Sequence, residues 1–253
     1  MKLEEFSQDD FERASKRLVR SLTRGKTTSS QPKAILLGGQ SGAGKTTIHR
    51  IKQREFQGNI IVIDGDSYRS FHPNYLTLQE KYGKDSVNYT KVFAGQMVEY
   101  LVDELSKQGY HLLIEGTLRT TEVPRKTAQL LTARGYQVSL ALIATKPELS
   151  YLSTLIRYEE LYAIDPSQAR ATPKTHHDGI VGHLVGNLRE LEKEELFRQI
   201  QIYQRDQSCV YDSQVDEASA AEVLHECLFG KWSKVEEEML KLGQERLREL
   251  GRD

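Results

Sequence analysis

A glycine-rich octapeptide near the start of the chain carries the residue types that bind phosphate. Residues 39–46 read Gly-Gln-Ser-Gly-Ala-Gly-Lys-Thr, directly after the apolar run 34–37 and before a helix-compatible segment at 46–55. This is the G-x-x-x-x-G-K-[ST] pattern in a strand–loop–helix context. Glycines allow the tight turn in which backbone N–H groups converge on an anion, and the helix N-terminus adds partial positive charge. The octapeptide therefore predicts a site for a nucleoside triphosphate.

The last two residues of this phosphate loop have separate expected tasks. Lys45 can reach the β- and γ-phosphates, and the Thr46 hydroxyl can ligate Mg²⁺. The phosphate-loop motif does not identify the group that receives the γ-phosphate. The residues predicted to bind the nucleotide are Gly39, Gln40, Ser41, Gly42, Ala43, Gly44, Lys45, Thr46 and Thr47.

Carboxylates stand at the ends of two other apolar runs. Asp64 closes the run 59–64, and Asp66 follows two residues later. Glu115 closes the run 111–115. Continuous apolar runs are typical of strands buried on both faces of a parallel sheet, and ligands of such sheets bind at the carboxyl ends of the strands. We therefore expect these carboxylates to face the phosphate site.

Phosphoryl transfer needs a group that orients or deprotonates the acceptor, and Asp66 is the candidate. The alternative is that Asp66 only caps the turn formed by 67–69. Asp64 still belongs to the strand end, which favours a structural task. Glu115 could hold Mg²⁺ through water or bind substrate hydroxyls, and the sequence does not separate these two roles.

Three arginines are candidates for neutralising the charge that spreads over a transferred phosphoryl group. Arg119 follows the strand that ends at Glu115. Arg157 lies in a predicted helix, where the alternative is an exposed i,i+3 ion pair with Glu160. Arg170 lies in a predicted loop between two alanines, a setting in which an arginine can fold over a bound nucleotide.

The cysteines and the paired histidines predict no metal or disulfide site. Cys209 and Cys227 are the only cysteines of the chain, and we expect both of them, with Tyr203, in the core. Adjacent histidines point to different faces of a helix. We therefore expect His176 and His177 on an exposed helix surface.

Composition excludes several classes of protein. The chain has 253 residues, of which 38% are hydrophobic, and its formal net charge is -1. Such balance gives no overall attraction to nucleic acid or to an anionic membrane. No apolar run reaches the length of a membrane span, and the acidic N-terminus lacks the apolar segment of a signal peptide. With two cysteines and no disulfide framework, these features predict a cytoplasmic protein.

Alternating apolar runs and helical segments predict the fold. Strands are expected near 34–37, 59–64, 111–115 and 138–144, with weaker candidates at 200–203 and 209–211. The polar stretch 74–89 is expected to be a surface excursion. The predicted fold is α/β and P-loop kinase-like, with a mostly parallel central sheet flanked by helices. Predicted boundaries are an N-terminal helix and linker at 1–31, a kinase core at 32–215 and a C-terminal helical extension at 216–253.

Five motifs in one order resemble the zeta-toxin family, and together they span about 33–211. They are Gly38-Gly-Gln-Ser-Gly-Ala-Gly-Lys-Thr46, Ile63-Asp-Gly-Asp66, Ile114-Glu-Gly-Thr-Leu-Arg119, Arg157-Tyr-Glu and Ala169-Arg-Ala-Thr-Pro173. One such motif is weakly informative, whereas five in register are specific.

The resemblance implies a kinase of a toxin–antitoxin pair. Such a kinase moves the γ-phosphate of ATP to the 3′-hydroxyl of the sugar of UDP-N-acetylglucosamine, which blocks peptidoglycan synthesis, and a small antitoxin covers its nucleotide site. Carried onto this chain, the resemblance implies ATP and Mg²⁺ at Lys45 and Thr46, and Asp66 as the base. Arg157 and Arg170 would stabilise the transferring phosphate. The residues implied to contact the UDP-sugar are Glu99, Glu115, Thr117, Arg119 and Thr127.

Two other readings stay open from the residues alone. One is a different small-molecule kinase on the same fold, for nucleosides or antibiotics. The other is a nucleotide-gated binding protein without a small acceptor. Asp66 and Arg170 favour a kinase, because a switch would more typically carry base-specificity motifs and a water-orienting glutamine.

Overall fold

The computed structural model describes residues 2–166 and 169–251. Within them one six-stranded sheet has the order β2-β3-β1-β4-β5-β6. The strands are β1 (Lys33–Gly38), β2 (Ile61–Ile63), β3 (Leu112–Glu115), β4 (Gln137–Ile143), β5 (Gln199–Tyr203) and β6 (Cys209–Asp212). The first five in this order pair in parallel, and β6 pairs antiparallel with β5. The mostly parallel sheet expected from the sequence is confirmed.

Helices cover both faces of the sheet and both ends of the chain. They are α1 (Gln8–Thr23), α2 (Thr46–Glu55), α3 (Gly65–Tyr68), α4 (Tyr75–Tyr82), α5 (Val87–Lys107), α6 (Glu122–Ala133), α7 (Pro147–Ile164), α8 (Lys174–Lys193), α9 (Ala220–Phe229) and α10 (Lys234–Glu249). No helix of the described residues has the length and apolarity needed to cross a membrane.

The central strand β1 shows why its sequence is a continuous apolar run. Ala34 and Leu36 pack into the larger core cluster with α1, α5, α6, α8 and α9. Ile35 and Leu37 pack into a smaller cluster on the other face, against Ile48 of α2. Because both faces are covered, every residue of β1 after the exposed Lys33 is buried and none of them is polar.

The N-terminal helix α1 begins with a capping box. The Ser7 side chain accepts a hydrogen bond from the Asp10 N–H, and the Asp10 side chain accepts one from the Ser7 N–H. This reciprocal capping satisfies N–H groups that a helix end otherwise leaves unpaired. Ala14 and Leu18 are buried in the larger core cluster, so α1 packs onto the same core as the sheet.

The stretch 74–89 is helical, and it lies at the surface as expected except on one side, where Tyr75, Leu78, Gln79 and Ser86 are buried. It contains α4, a 3₁₀ turn at Gly83–Ser86 and the start of α5. Its polar side chains bond to one another in the interior: Gln79 donates to the Tyr75 hydroxyl at 2.8 Å and accepts from Ser86 at 2.8 Å. Polar composition therefore conceals burial here, because the polar groups satisfy each other.

The surroundings of Glu160 and of the two cysteines differ from what the sequence suggests. Glu160 of α7 pairs with Arg246 of α10 at 3.0 Å, a contact between helices, in place of the exposed ion pair with Arg157 that is the alternative for that arginine. Cys209 is exposed and Cys227 half-buried, whereas Tyr203 is buried as expected. Cys209 lies on β6 at the edge of the sheet, where only β5 covers the strand.

Candidate active site

The phosphate loop lies between the end of β1 and the start of α2. Its glycines Gly39, Gly42 and Gly44 have φ angles of 140°, 73° and 102°, a region that side chains disfavour. A Cβ at Gly39 would stand 2.7 Å from Ile143 Cγ2, and one at Gly42 would overlap the carbonyl oxygen of Ser150. The glycines are therefore required by conformation and by close packing.

Side chains behind the loop fix its shape. Gln40 is buried and donates to the Thr145 carbonyl at 2.7 Å and to the Ser150 hydroxyl at 3.1 Å. The Thr145 hydroxyl donates to the Ala43 carbonyl at 2.8 Å. These bonds connect the loop to the end of β4 and the first turn of α7.

His177 belongs to this support, which corrects its expected place on the surface. Its ring is buried, with Nε2 2.8 Å from the Ser150 hydroxyl, and it packs against Tyr151. The reason is that α8 packs against α7, which covers one face of α8 and buries one histidine of the pair. His176 is exposed as expected and lines the main cleft.

The strand-end carboxylate Glu115 lies beside the loop lysine. Its two oxygens stand 3.6 Å from Lys45 Nζ and 2.9 Å from His49 Nε2. Burial raises the pKa of Glu115, but His49 and Lys45 outweigh burial and hold it below its usual range. Glu115 is in register with Leu37 on the neighbouring strand β1, so the expected convergence of strand ends is confirmed.

The two aspartates after β2 have different surroundings. Asp64 caps α3: its oxygens accept from the Asp66 N–H at 3.0 Å and the Ser67 hydroxyl at 2.6 Å. Burial and then the Glu115 charge raise the pKa of Asp64. The turn is thus capped by Asp64, which leaves the Asp66 carboxylate available to the cleft.

The Asp66 side chain is 66% exposed and pairs with Arg69 Nε at 2.8 Å. The protein atoms that surround the carboxyl within the cleft favour a higher pKa, but the charges of Arg69, Arg170 and Lys45 outweigh them and lower the pKa of Asp66. Asp66 is therefore kept ionised, as a proton acceptor must be before the acceptor hydroxyl arrives. Sequence reasoning missed Arg69, although it stands three residues from Asp66 on the same helical stretch.

A cleft of about 1590 Å³ opens beside Asp66. Charged or polar residues around it include Ser41, Asp64, Asp66, Arg69, Arg119, Arg157 and Arg170. Arg170 donates to the backbone carbonyl of Asp66 and to the Tyr75 hydroxyl at 3.3 Å, and its Nε is buried without a hydrogen-bond partner. All three arginines singled out in the sequence thus border one cleft.

A second cleft, of about 770 Å³, adjoins the end of β3. Arg119 lines both clefts. The residues implied to contact a sugar nucleotide all line the second cleft: Glu99, Glu115, Thr117, Arg119 and Thr127. Glu99 and Thr127 come from α5 and α6, and no periodic or spacing signal distinguishes them from ordinary polar helix positions.

The residues of the loop fit a nucleotide with Mg²⁺. Positive φ angles at three glycines give the backbone the concave form that receives phosphate, and Lys45 Nζ is hydrogen-bonded to the loop carbonyl of Gly39 at 3.1 Å. The part of the chain that the structure describes contains no cluster of three His, Cys, Asp or Glu side chains for a metal. Mg²⁺ bound through phosphates needs only one or two protein oxygens, and the Thr46 hydroxyl is placed at the start of α2 to supply one.

Comparisons with known proteins point to one family. The zeta-toxin family model matches residues 18–216. The chain is 69% identical over 250 residues to Toxin PezT of Streptococcus pneumoniae serotype 4, covering 99% of each. It is 43% identical over 208 residues to Toxin zeta of Streptococcus pyogenes, covering 82% of this chain and 72% of the relative.

Solved structures share the architecture. One from the PezAT chromosomal toxin–antitoxin system of Streptococcus pneumoniae superimposes with a TM-score of 0.93 and 67% identity, covering 99% of this chain and all of that chain. The AvrRxo1-ORF1:-ORF2 complex solved with ATP superimposes with a TM-score of 0.61 and 14% identity, covering 98% and 84%. At this identity the second likeness concerns the fold alone.

Proposed function

Since this chain belongs to the zeta-toxin family, we propose that it is the toxin of a toxin–antitoxin pair and an ATP-dependent kinase. Its proposed acceptor is the 3′-hydroxyl of the N-acetylglucosamine of UDP-N-acetylglucosamine. The observation that carries the proposal is the junction of the two clefts at Arg119, with Asp66 on one side and Glu115 on the other. A nucleotide in the loop and a sugar nucleotide in the second cleft would meet beside Asp66.

The roles of the residues follow from this arrangement. The loop N–H groups and Lys45 would hold the β- and γ-phosphates, and the Thr46 hydroxyl would help hold Mg²⁺, which would supply positive charge to them. As the sugar oxygen bonds to the γ-phosphorus, the bond to the β-phosphate oxygen breaks and ADP leaves. Asp66 accepts the proton of the hydroxyl. Arg157 and Arg170 stabilise the negative charge on the transferred group.

Glu115 serves the acceptor in this proposal. Its lowered pKa keeps it a carboxylate that accepts hydrogen bonds from sugar hydroxyls. Thr117, Glu99 and Thr127 border the same cleft and supply further polar groups. Arg119 is placed to bind the diphosphate of the sugar nucleotide, since an arginine suits bidentate phosphate recognition.

The test is a mass-resolved transfer assay. The protein is incubated with ATP–Mg²⁺ and, separately, UDP-N-acetylglucosamine, UDP-glucose, nucleosides and aminoglycosides. We expect a gain of one phosphoryl group on UDP-N-acetylglucosamine, located at the 3′-oxygen by fragmentation. Transfer to a nucleoside or an antibiotic instead, or nucleotide binding without transfer, would overturn the acceptor assignment.

We also propose a cognate antitoxin and a cytoplasmic site of action. The relative from Streptococcus pneumoniae belongs to a toxin–antitoxin system, and peptidoglycan precursors carried on UDP are water-soluble. Expression of this chain alone in bacteria should arrest growth, and co-expression with the antitoxin should restore it. The Lys45→Ala variant serves as the inactive control. Normal growth with abundant active protein would contradict the toxin role.

A further inference from the structure

Arg205, which the family motifs do not include, holds the outer side of the phosphate loop. It lies in the turn between β5 and β6, far in sequence from the loop. Its Nε donates to the Ala43 carbonyl at 3.1 Å, and its NH2 group donates to the Gly42 carbonyl and to the Ser153 hydroxyl at 2.9 Å. One guanidinium thus joins three elements: the loop, α7 and the β5–β6 turn.

The charge of Arg205 has no carboxylate partner among residues 2–166 and 169–251. The neighbouring Asp206 accepts instead from the N–H and hydroxyl of Ser208. Burial lowers the pKa of the guanidinium, although a guanidinium keeps its proton in proteins. A cation that is largely desolvated and unpaired raises the affinity of its surroundings for an anion.

The two carbonyl groups that Arg205 binds belong to the peptide units that shape the loop. A peptide unit whose carbonyl faces outward directs its N–H in the opposite direction, toward the interior of the loop. The Ala43 N–H, which follows the Gly42 carbonyl, is bonded to the Gln40 carbonyl at 3.2 Å, so that bond from Arg205 holds the turn itself. The bond to the Ala43 carbonyl favours the inward direction of the Gly44 N–H. A Cβ at Gly44 would stand 3.4 Å from Arg205 Cγ, so the arginine stem also packs against the loop backbone.

We propose that Arg205 is a positioning residue that keeps the loop in its phosphate-binding shape before ATP arrives and adds positive potential behind it. The proposal rests on the proposed nucleotide-binding function of the loop. It assigns to Arg205 a contribution to phosphate affinity and none to the adenine or the sugar acceptor. Arg205 donates to backbone carbonyls and is not itself placed among the groups that contact the reacting atoms.

The test compares Arg205→Met and Arg205→Lys with Arg54→Met as the matched control. Arg54 also bonds to the β5–β6 turn, through the Gln207 side chain at 2.5 Å, but makes no contact with the loop. The affinities of each protein for ATP, inorganic triphosphate and adenosine are measured by calorimetry, with thermal unfolding measured alongside.

For Arg205→Met we expect about tenfold weaker binding of ATP and triphosphate, the scale for losing bonds from a charged donor. Binding of adenosine should be unchanged. Arg205→Lys should recover part of this loss, with a triphosphate affinity about threefold below that of the parent protein. The reason is that a lysine ammonium keeps the charge but lacks the planar guanidinium that donates several hydrogen bonds at once. Arg54→Met should equal the parent protein in every measurement.

Unchanged triphosphate affinity in a folded Arg205→Met protein would overturn the proposal, as would an equal loss for adenosine. If Arg205→Met is too unstable to titrate, Arg205→Lys decides. A loss of about threefold for triphosphate with none for adenosine supports the proposal, and unchanged triphosphate affinity overturns it. Binding is measured without the sugar acceptor. The result for Arg205 can therefore be interpreted even if UDP-N-acetylglucosamine proves not to be the acceptor. If the parent protein binds neither ATP nor triphosphate, the proposed function fails first. In turnover, the loss should appear in the KM for ATP and not in the KM for the acceptor.

Discussion

Arg170 donates a hydrogen bond to the backbone carbonyl of Asp66, so the loop after α7 is bonded to the residue proposed as the base. The arginine also contacts the Tyr75 ring and hydroxyl, while its buried Nε has no hydrogen-bond partner among the residues that the structure describes. An N–H that is buried and unpaired costs free energy, which an anion placed beside it would recover. This is the basis for proposing Arg170 as the cation that faces the transferred phosphoryl group.

Arg170→Ala should therefore lower kcat by about 10² to 10³, the scale for removing one donor to a developing anion. The affinity for ATP should change by less than about threefold, because the main phosphate contacts belong to the loop. Arg170→Lys should also have a strongly lowered kcat, since a lysine cannot donate two parallel hydrogen bonds as a guanidinium does. Single-turnover rates and ATP titration separate the two effects, and a parallel loss in both would place Arg170 in ground-state binding instead.

Asp66→Asn should abolish most transfer and preserve ATP binding. A carboxylate accepts the acceptor proton and an amide of the same shape does not, so we expect a loss of about 10² to 10⁴ in rate. Asp64→Ala is the matched comparison: it removes the cap of α3 and should cost about 1 kcal/mol in the free energy of unfolding. Rates are measured by mass shift and stability by urea unfolding. Near-normal transfer in Asp66→Asn with a specific loss in folded Asp64→Ala would reverse the assignment.

The ion pair between Arg69 and Asp66 sets the acid side of the pH profile. Arg69 is the foremost of the charges that hold the pKa of Asp66 below its usual range, so Arg69→Met should raise that pKa. The acidic limb of kcat/KM, which reports the free enzyme's base, should move to higher pH. Because the folded-state pKa is lowered, the carboxylate stabilises the fold above the unfolded-state pKa of Asp66 and loses this effect as pH falls. If the acidic limb of kcat/KM stays at the same pH in folded Arg69→Met, a group other than Asp66 titrates there.

Most of the strands and the phosphate loop could be predicted from the sequence, because each depends on interactions between residues that are close along the chain. The phosphate loop and the buried strands each need only neighbouring residues, and each lies where the sequence predicts it. The strand-end rule predicts that Asp66 and Glu115 lie near one another, and the Asp66 charge does act on Glu115. These predictions concern backbone conformation and burial, which composition and periodicity record directly.

The residues missed by sequence depend on contacts between distant segments. His177 is buried by α7 and Arg205 reaches a loop 162 and 163 residues away. Neither has a local pattern, since the same residue types stand on exposed surfaces elsewhere. Glu99 and Thr127 entered through resemblance alone, and their common cleft becomes visible only when α5 and α6 are packed beside β3. Their roles in binding stay predictions.

The ion pair between Lys45 and Glu115 predicts a competition between the two clefts. Lys45 must turn toward the phosphates, whereas Glu115 attracts it at 3.6 Å with both side chains largely buried. Glu115→Gln should tighten ATP binding by about two- to fivefold, consistent with a partly screened pair. The same change should raise the KM for the sugar nucleotide about tenfold through loss of a charged acceptor. Glu222→Gln, at an exposed carboxylate in the first turn of α9 that lines neither cleft, serves as the control and should alter neither constant.

Gly42 should be intolerant of even one added methyl group. Its φ of 73° disfavours any side chain, and a Cβ there would overlap the Ser150 carbonyl and stand 2.8 Å from Thr154 Cγ2. Both are held by α7, so the loop and not the helix must shift. Gly42→Ala should therefore weaken ATP binding by about 10² or more, the scale of a backbone displacement at a phosphate site.

Gly95→Ala is the matched control for this change. Gly95 lies within α5, has ordinary helical φ, and a Cβ there would meet nothing within 4 Å. Alanine at a compatible helical glycine should stabilise the protein by about 0.4–1 kcal/mol, with ATP affinity unchanged. Calorimetric titration and thermal unfolding check both variants. Wild-type ATP affinity in Gly42→Ala would mean that the loop tolerates displacement, and it would remove the geometric basis for placing the triphosphate there.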